Sequence, residues 1–396
     1  MGIIVKKFGG TSVANIQKIK DIAARISQEK KPDDSIVIVV SAMGNTTNEL
    51  FDLATQISQK PSRRELDMLV TAGERISMSL LSLALQENGL SAISFTGSQS
   101  GIITDIHHGS AKIINVKAFR IFEELNNGKI VIVAGYQGIS TKKEVTTLGR
   151  GGSDTSAVAL ACYLKADKCE IFTDVNGVFS ADPRKVSEAK FLSEISYQEM
   201  LALAYNGANV IHSRAVEFAF KYKIDVEIKS SFNKIKGTKL VDKIINEENS
   251  ITAITTQKDI VLFSLNLSIL NSKEFFQSIS NDGVELINFK FSGDNLTLFV
   301  HSDYFNHVKQ ILIKQNYSYK VTKDLKTLTF VGPGLSKYSL FVADVIDYLN
   351  TKNKCKIVDL IVQEISLTFV LETELLDDIL SDIHAWTFYT GEKNDK

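Results

Sequence analysis

Residues 1–12 read MGIIVKKFGGTS, and the rest of the chain is read outward from them. The apolar run at 3–5 has the character of a buried strand. Gly9-Gly10 follows, and then helical spacing over residues 13–27 places Ile16, Ile19, Ile22, Ala23 and Ile26 on one face. Two glycines let the backbone come close to an anion, and the start of a helix presents free N–H groups. Lys7 at the strand end adds a point charge. A plain strand-to-helix turn with a solvated lysine would look the same, so this segment alone leaves both readings open.

The alternation continues. Residues 36–40 form a continuous β-branched strand ended by Ser41-Ala42-Met43-Gly44. Strands are predicted at 92–95, 129–134, 169–172 and 226–228, and helices at 64–88, 157–164, 197–205 and 213–222. Strands apolar on both faces, alternating with helices, predict an α/β domain with a mainly parallel sheet. After about residue 245 the texture changes. Strands at 260–267, 286–290 and 295–300 and helices at 273–279 and 304–315 follow a β-α-β-β-α-β order, with Ser-Gly-Asp as a hairpin turn. The order recurs at 328–331, 340–350, 357–360, 365–371 and 375–383, which predicts two copies of one small α+β unit.

Composition excludes several classes. With 45 Lys+Arg against 46 Asp+Glu, the chain has no basic excess to neutralise nucleic-acid phosphates. An apolar fraction of 44% is enough for packed cores and argues against disorder. No uninterrupted apolar run reaches the ~18–20 residues of a membrane span, and the first residues do not resemble a signal peptide, so a cytoplasmic protein is expected. Cys162, Cys169 and Cys355 are widely spaced and expected to be free, buried thiols. His107-His108 has no zinc-like spacing to other ligands and is expected in a solvated loop, and no metal site is predicted. Only four prolines occur in 396 residues.

Two further segments carry chemistry. Gly149-Arg150-Gly151-Gly152-Ser153-Asp154-Thr155 is neither a Walker A loop nor a Rossmann fingerprint. Ser153 or Asp154 could simply cap a helix, but capping does not account for an arginine enclosed by glycines, which can grip a carboxylate with two parallel hydrogen bonds. Residues 172–184, FTDVNGVFSADPR, leave a strand through Asn-Gly and Asp-Pro turns, and loops at the carboxyl ends of sheet strands are where α/β folds bind ligands. Phe179 there could stack on an adenine or cover a core.

Six segments, in this order and spacing, resemble the aspartokinases of the amino acid kinase superfamily. They are KFGGTS (7–12), SAMGNTTNEL (41–50), TAGERIS (71–77), TLGRGGSDTSAVALA (147–161), FTDVNGVFSADPR (172–184) and SYQEMLALAYNGANVIHSRAVEFA (196–219). The resemblance implies a three-layer α/β/α amino acid kinase domain over residues 1–245. It also implies a tandem pair of ferredoxin-like ACT units over 246–396, the first at about 260–318 and the second at about 250–259 plus 319–396. The implied reaction is phosphorylation of the L-aspartate β-carboxylate by ATP with Mg2+, the first step toward lysine, threonine and methionine. Lys7 and Asp154 are the implied catalytic residues, Asp154 orienting Lys7. Thr47, Glu74, Arg150 and Ser153 would hold aspartate. Lys7, Gly9, Gly10, Ser41, Thr173, Asp174, Phe179 and Arg184 would hold the nucleotide, with magnesium bound through its phosphates.

The resemblance has departures. Ser213 stands where the family often has proline, and Lys236-Gly237-Thr238 replaces Pro-Gly-Thr. In the ACT region the usual Asp-x-Pro-Gly effector turn reads Asn266-Leu267-Ser268-Ile269-Leu270-Asn271, and Lys337-Tyr338-Ser339 replaces a His-Pro-Gly. Lysine or threonine feedback is therefore expected to be weak, altered or absent. A homodimer or homotetramer through the ACT units is expected, since no methionine near residue 245 offers an internal start for a separate subunit. A kinase for another carboxylate or for carbamate, and a catalytically silent sensor, are the competing readings. Arg150 with Glu74 disfavours the first, and Lys7 with Asp154 the second.

Overall fold

The computed structural model describes residues 2–242, 251–351 and 355–390. The domain boundary expected at 245/246, and residue 250 of the expected second ACT unit, lie outside them. The chain forms two compact units, one of residues 1–178, 191–201 and 209–244, the other of 179–190, 202–208 and 245–396.

The first unit is built on an eight-stranded sheet. Its order is Glu194–Ser196, Thr238–Val241, Val226–Ser230, Lys168–Thr173, Gly2–Phe8, Asp34–Val40, Ile130–Ala134, Ala92–Phe95. Neighbours run parallel except Val226–Ser230 against Thr238–Val241. Side chains alternate between the faces. Phe8, Ile36, Ile38, Val40, Ile130, Ile132 and Phe172 point one way and share a core with helices Ile16–Glu29 and Ala72–Glu87. Phe8 and Phe172 stack at 4.6 Å between ring centroids. The other face carries helix Gly152–Leu164, which is buried along nearly its whole length. This is the three-layer arrangement expected.

Three local features differ from expectation. The helix predicted at 64–88 is two, Arg63–Val70 and Ala72–Glu87, meeting at Thr71. The Thr71 carbonyl accepts a hydrogen bond from Gln137 Nε2 at 3.1 Å, which draws it out of a continuous helical ladder. The stretch Arg63–Glu87 has the length and mean hydropathy (1.3) of a membrane span, but half of its apolar window is buried inside the protein. Asp67 and Glu74 are buried within the same stretch, as suits core helices. The helix predicted from 157 begins at Gly152, so Ser153 and Asp154 lie in its first turn. Short strands Ile102–Thr104, Ile113–Val116, Gln137–Ser140 and Val145–Thr147 form a separate four-stranded sheet that the apolar pattern did not announce. Of the cysteines, Cys169 and Cys355 are buried, Cys162 is partly exposed, and all three are free.

The second unit carries a six-stranded antiparallel sheet ordered Leu286–Ser292, Asn295–His301, Ala253–Asn266, Tyr319–Val331, Ser366–Glu372, Lys356–Val362. The two central strands are long and pair with each other. Their register shifts between Gln257 and Ile260, where Asp259 takes a left-handed φ of 61°. One half of the sheet packs Val261, Phe263 and Leu265 against helices Lys273–Asn281 and Phe305–Lys314. The other packs Leu328, Phe330 and Phe369 against helices Ser339–Thr351 and Leu376–Ala385. This sheet-rich C-terminal region is consistent with paired ACT units.

Gly97 tests the packing in the first unit. A Cβ there would lie 2.1 Å from the Gln137 carbonyl oxygen, whereas one on Gly128 (φ 73°) would meet nothing within 4 Å. Gly97→Ala is expected to cost about 3 kcal/mol by urea midpoint, and Gly128→Ala about 1 kcal/mol from backbone strain alone. Equal costs would contradict this packing.

Candidate active site

A cavity of about 660 Å³ opens at the carboxyl ends of the central strands. It is lined by Lys7, Gly10, Ser41, Thr47, Glu74, Arg150, Ser153 and Asp154, eight of the residues singled out from the sequence. Lys7 is the second-last residue of the central strand, and its Nζ lies 2.6 Å from Asp154 Oδ1. Asp154 sits in the first turn of helix Gly152–Leu164, where the helix dipole favours a carboxylate. Its Oδ2 accepts the backbone N–H of His212 at 3.1 Å. Both partners are almost out of solvent, so each charge depends on the other.

The glycines serve the close approach of these loops. Gly151 takes a φ of 63°, and a Cβ on it would fall 2.0 Å from the His212 ring. Gly44 N–H donates to the Gly10 carbonyl at 3.1 Å, tying the loop after the first strand to the loop after the second. Gly9 sits just behind Lys7 Nζ, which a Cβ on Gly9 would meet at 3.3 Å.

Glu74 lies in the first turn of helix Ala72–Glu87 and is 3% exposed. Its Oε1 accepts the Ala42 N–H at 3.2 Å, and its buried Oε2 has no hydrogen-bond partner among the described residues. Loss of solvent pushes its pKa up to about 7, only partly offset by backbone hydrogen bonds. A buried carboxylate with a spare oxygen facing a cavity suits a cationic group.

Sequence reasoning missed several residues here. Tyr136 lines the cavity with a left-handed φ of 67°, an unusual backbone state for an aromatic residue. Burial pushes its phenol up to about 12, so it stays protonated. Its position after a strand, in Gly135-Tyr136-Gln137-Gly138, was the available signal. Asp67 is 1% exposed. It accepts from Thr147 Oγ1 at 2.6 Å and from Gly109 N–H at 3.1 Å, and contacts His108 Nδ1 at 2.6 Å. His107 is exposed as expected, but His108 is not a solvated loop residue, because Asp67 holds it. Gly149 packs close to the Gly109 carbonyl, and Arg214 donates to the carbonyls of Leu148 and Ala111. The loop bearing Arg150 is thus braced from behind by Asp67 and Arg214.

The remaining expected nucleotide residues do not line this cavity. Thr173 ends strand Lys168–Thr173 and Asp174 follows it, with Thr173 Oγ1 donating to Asp174 Oδ1 at 3.2 Å. Phe179 and Arg184 belong to the second unit, where the Arg184 guanidinium donates two hydrogen bonds of 3.0 and 3.1 Å to Asp182 and its backbone N–H a third at 3.0 Å. Among the described residues no group of three His, Cys, Asp or Glu side chains could hold a metal ion.

A model of the amino acid kinase family matches residues 2–230. An aspartokinase of Bacillus sp. (strain MGA3) is 49% identical over 290 residues, covering 72% of this chain and 71% of that protein. Aspartate kinase Ask_LysC of Stutzerimonas stutzeri is 36% identical over 97% of both chains. The crystal structure of E. coli aspartokinase III in complex with aspartate and ADP superposes with a TM-score of 0.85 at 25% identity, covering 97% of this chain and 99% of that one. The chain therefore belongs to the amino acid kinase family and, within it, to the aspartokinases.

Proposed function

We propose that this aspartate kinase transfers the γ-phosphoryl group of ATP to the β-carboxylate of L-aspartate, giving 4-phospho-L-aspartate, as the first step of lysine, threonine and methionine synthesis. The observation that carries the reading is the convergence on one cavity of the Lys7–Asp154 pair, Arg150 and the half-satisfied Glu74. A related enzyme has been crystallised with aspartate and ADP, which supports both substrates.

Two anions must be held together and the charge developing between them spread. Lys7 supplies positive charge at the phosphoryl group in transfer. Gly9, Gly10 and Ser41 offer backbone and hydroxyl donors to the phosphates. Asp154 fixes the Lys7 ammonium and has no proton to remove, because the aspartate carboxylate is already ionised at neutral pH. Arg150 clamps the α-carboxylate, Glu74 pairs with the α-ammonium, and Thr47 and Ser153 complete the aspartate pocket. Thr173 and Asp174 are assigned to the nucleotide. Mg2+, bound through phosphate oxygens and water, would neutralise phosphate charge without needing a protein carboxylate cage.

This set favours aspartate over a carbamate or a simple carboxylate, since an arginine and a carboxylate read both ends of an amino acid. Lys7 and Asp154 disfavour a silent sensor. The replaced effector turn, Asn266 to Asn271, is a strand end followed by a short 3-10 turn in which Ile269 and Leu270 are largely exposed. That supports weak lysine or threonine feedback, with the ACT units retained for homo-oligomer assembly.

Hydroxylamine traps acyl phosphates, so aspartyl hydroxamate should accumulate with ATP, and Lys7→Ala or Asp154→Ala should cut the rate about 10²-fold or more. Absence of hydroxamate from active preparations would defeat the reading. The same assay with millimolar lysine or threonine should show little inhibition, and strong inhibition by either would refute the feedback inference.

Glu74 predicts a pH dependence. The bound ammonium needs the carboxylate, so the aspartate KM should be flat above pH 7 and rise about tenfold per unit below it. The folded state holds this proton up to about pH 7 and the unfolded state only to 4.5, so stability from this group falls as pH rises through that window. Glu74→Gln should therefore raise the melting temperature at pH 8 while flattening the KM profile. A stabilised variant with an unchanged profile would remove Glu74 from the substrate site.

A further inference from the structure

Lys6 and Lys7 are consecutive on the central strand and so point to opposite faces of the sheet. Lys7 enters the cavity above. Lys6 enters a second cavity of about 490 Å³, on the face carried by helix Ile16–Glu29, and the two cavities share no lining residue. The chain as a whole carries a net charge of −1, but eight Lys and Arg line this second cavity against four Asp and Glu.

The floor is a charged ladder across three neighbouring strands. Glu170, 1% exposed, is met by Lys6 at 2.6 Å, Lys168 at 2.7 Å and Lys229 at 3.2 Å. Lys6 is itself only 8% exposed. With Glu227 at 3.5 Å from Lys229 and Glu29 at 3.7 Å from Lys6, three carboxylates match these three ammonium groups, and Arg25, 2.9 Å from Glu29, adds one unmatched positive charge. At the rim, the ammonium groups of Lys31, Lys234 and Lys236 have no partner among the described residues. Low-dielectric walls focus such a field into the space between them.

We propose that this cavity is a second anion site, taking a small polyvalent phosphate compound whose oxygens are held by Lys6 and Lys229 on the floor and by Lys234 and Lys236 at the rim. Several ammonium point charges around an enclosed space match clustered phosphate oxygens better than a single planar carboxylate, which calls for an arginine fork. A polymeric nucleic acid does not fit, because the positive charge is confined to the cavity and the chain is otherwise slightly acidic.

Isothermal titration of the full-length chain with inorganic tripolyphosphate tests this. Lys7→Ala serves as the background, to weaken phosphate binding in the catalytic cavity. One equivalent of tripolyphosphate should still bind. Adding Lys234→Glu and Lys236→Glu, both exposed, should weaken it at least tenfold, and Lys229→Gln should do the same from the floor. Citrate should bind at least tenfold more weakly than tripolyphosphate. No binding in the Lys7→Ala background, binding undiminished by the rim and floor substitutions, or citrate binding as tightly would each overturn the proposal.

Discussion

The Lys7–Asp154 ion pair is the constraint around which the first unit is arranged. It joins the carboxyl end of the central strand to the first turn of a helix buried along nearly its whole length, and both charges sit in little solvent. Burying two ions this way gains little stability by itself, because desolvation offsets the attraction. Its effect is positional. With Asp154 held by the His212 N–H and by the helix start, the ammonium cannot wander, and a second anion brought into the cavity meets a charge already in place. Gly151 keeps the approach open, since any side chain there would displace the His212 ring.

Much of this was legible in the sequence because it rests on local chemistry. KFGGTS and GRGGSD announce themselves through glycines at strand and helix ends, and buried strands show as β-branched runs. What escaped depends on contacts distant along the chain. Asp67 looks like a surface helix residue until His108, Gly109 and Thr147 close around it. Tyr136 reads as a core aromatic, and only the fold reveals its strained backbone. Thr71 ends one helix and starts another because Gln137, far along the chain, takes its carbonyl. The four-stranded sheet is made of strands three or four residues long, too short for a periodic signal.

Balanced composition also concealed an unbalanced surface. Nearly equal numbers of acids and bases exclude a generally basic protein, but say nothing about where the bases lie. Alternation along one strand sends two adjacent lysines to separate cavities, one lysine matched by an aspartate and the other crowded with further lysines around a single glutamate.

The second unit's two long strands each belong to both halves of their sheet. Ala253–Asn266 pairs with Tyr319–Val331 along nearly its full length, while its distal part also pairs with Asn295–His301. The two repeats therefore share a backbone instead of adjoining as beads. Excising either half would therefore leave the other with part of a strand and an open sheet edge.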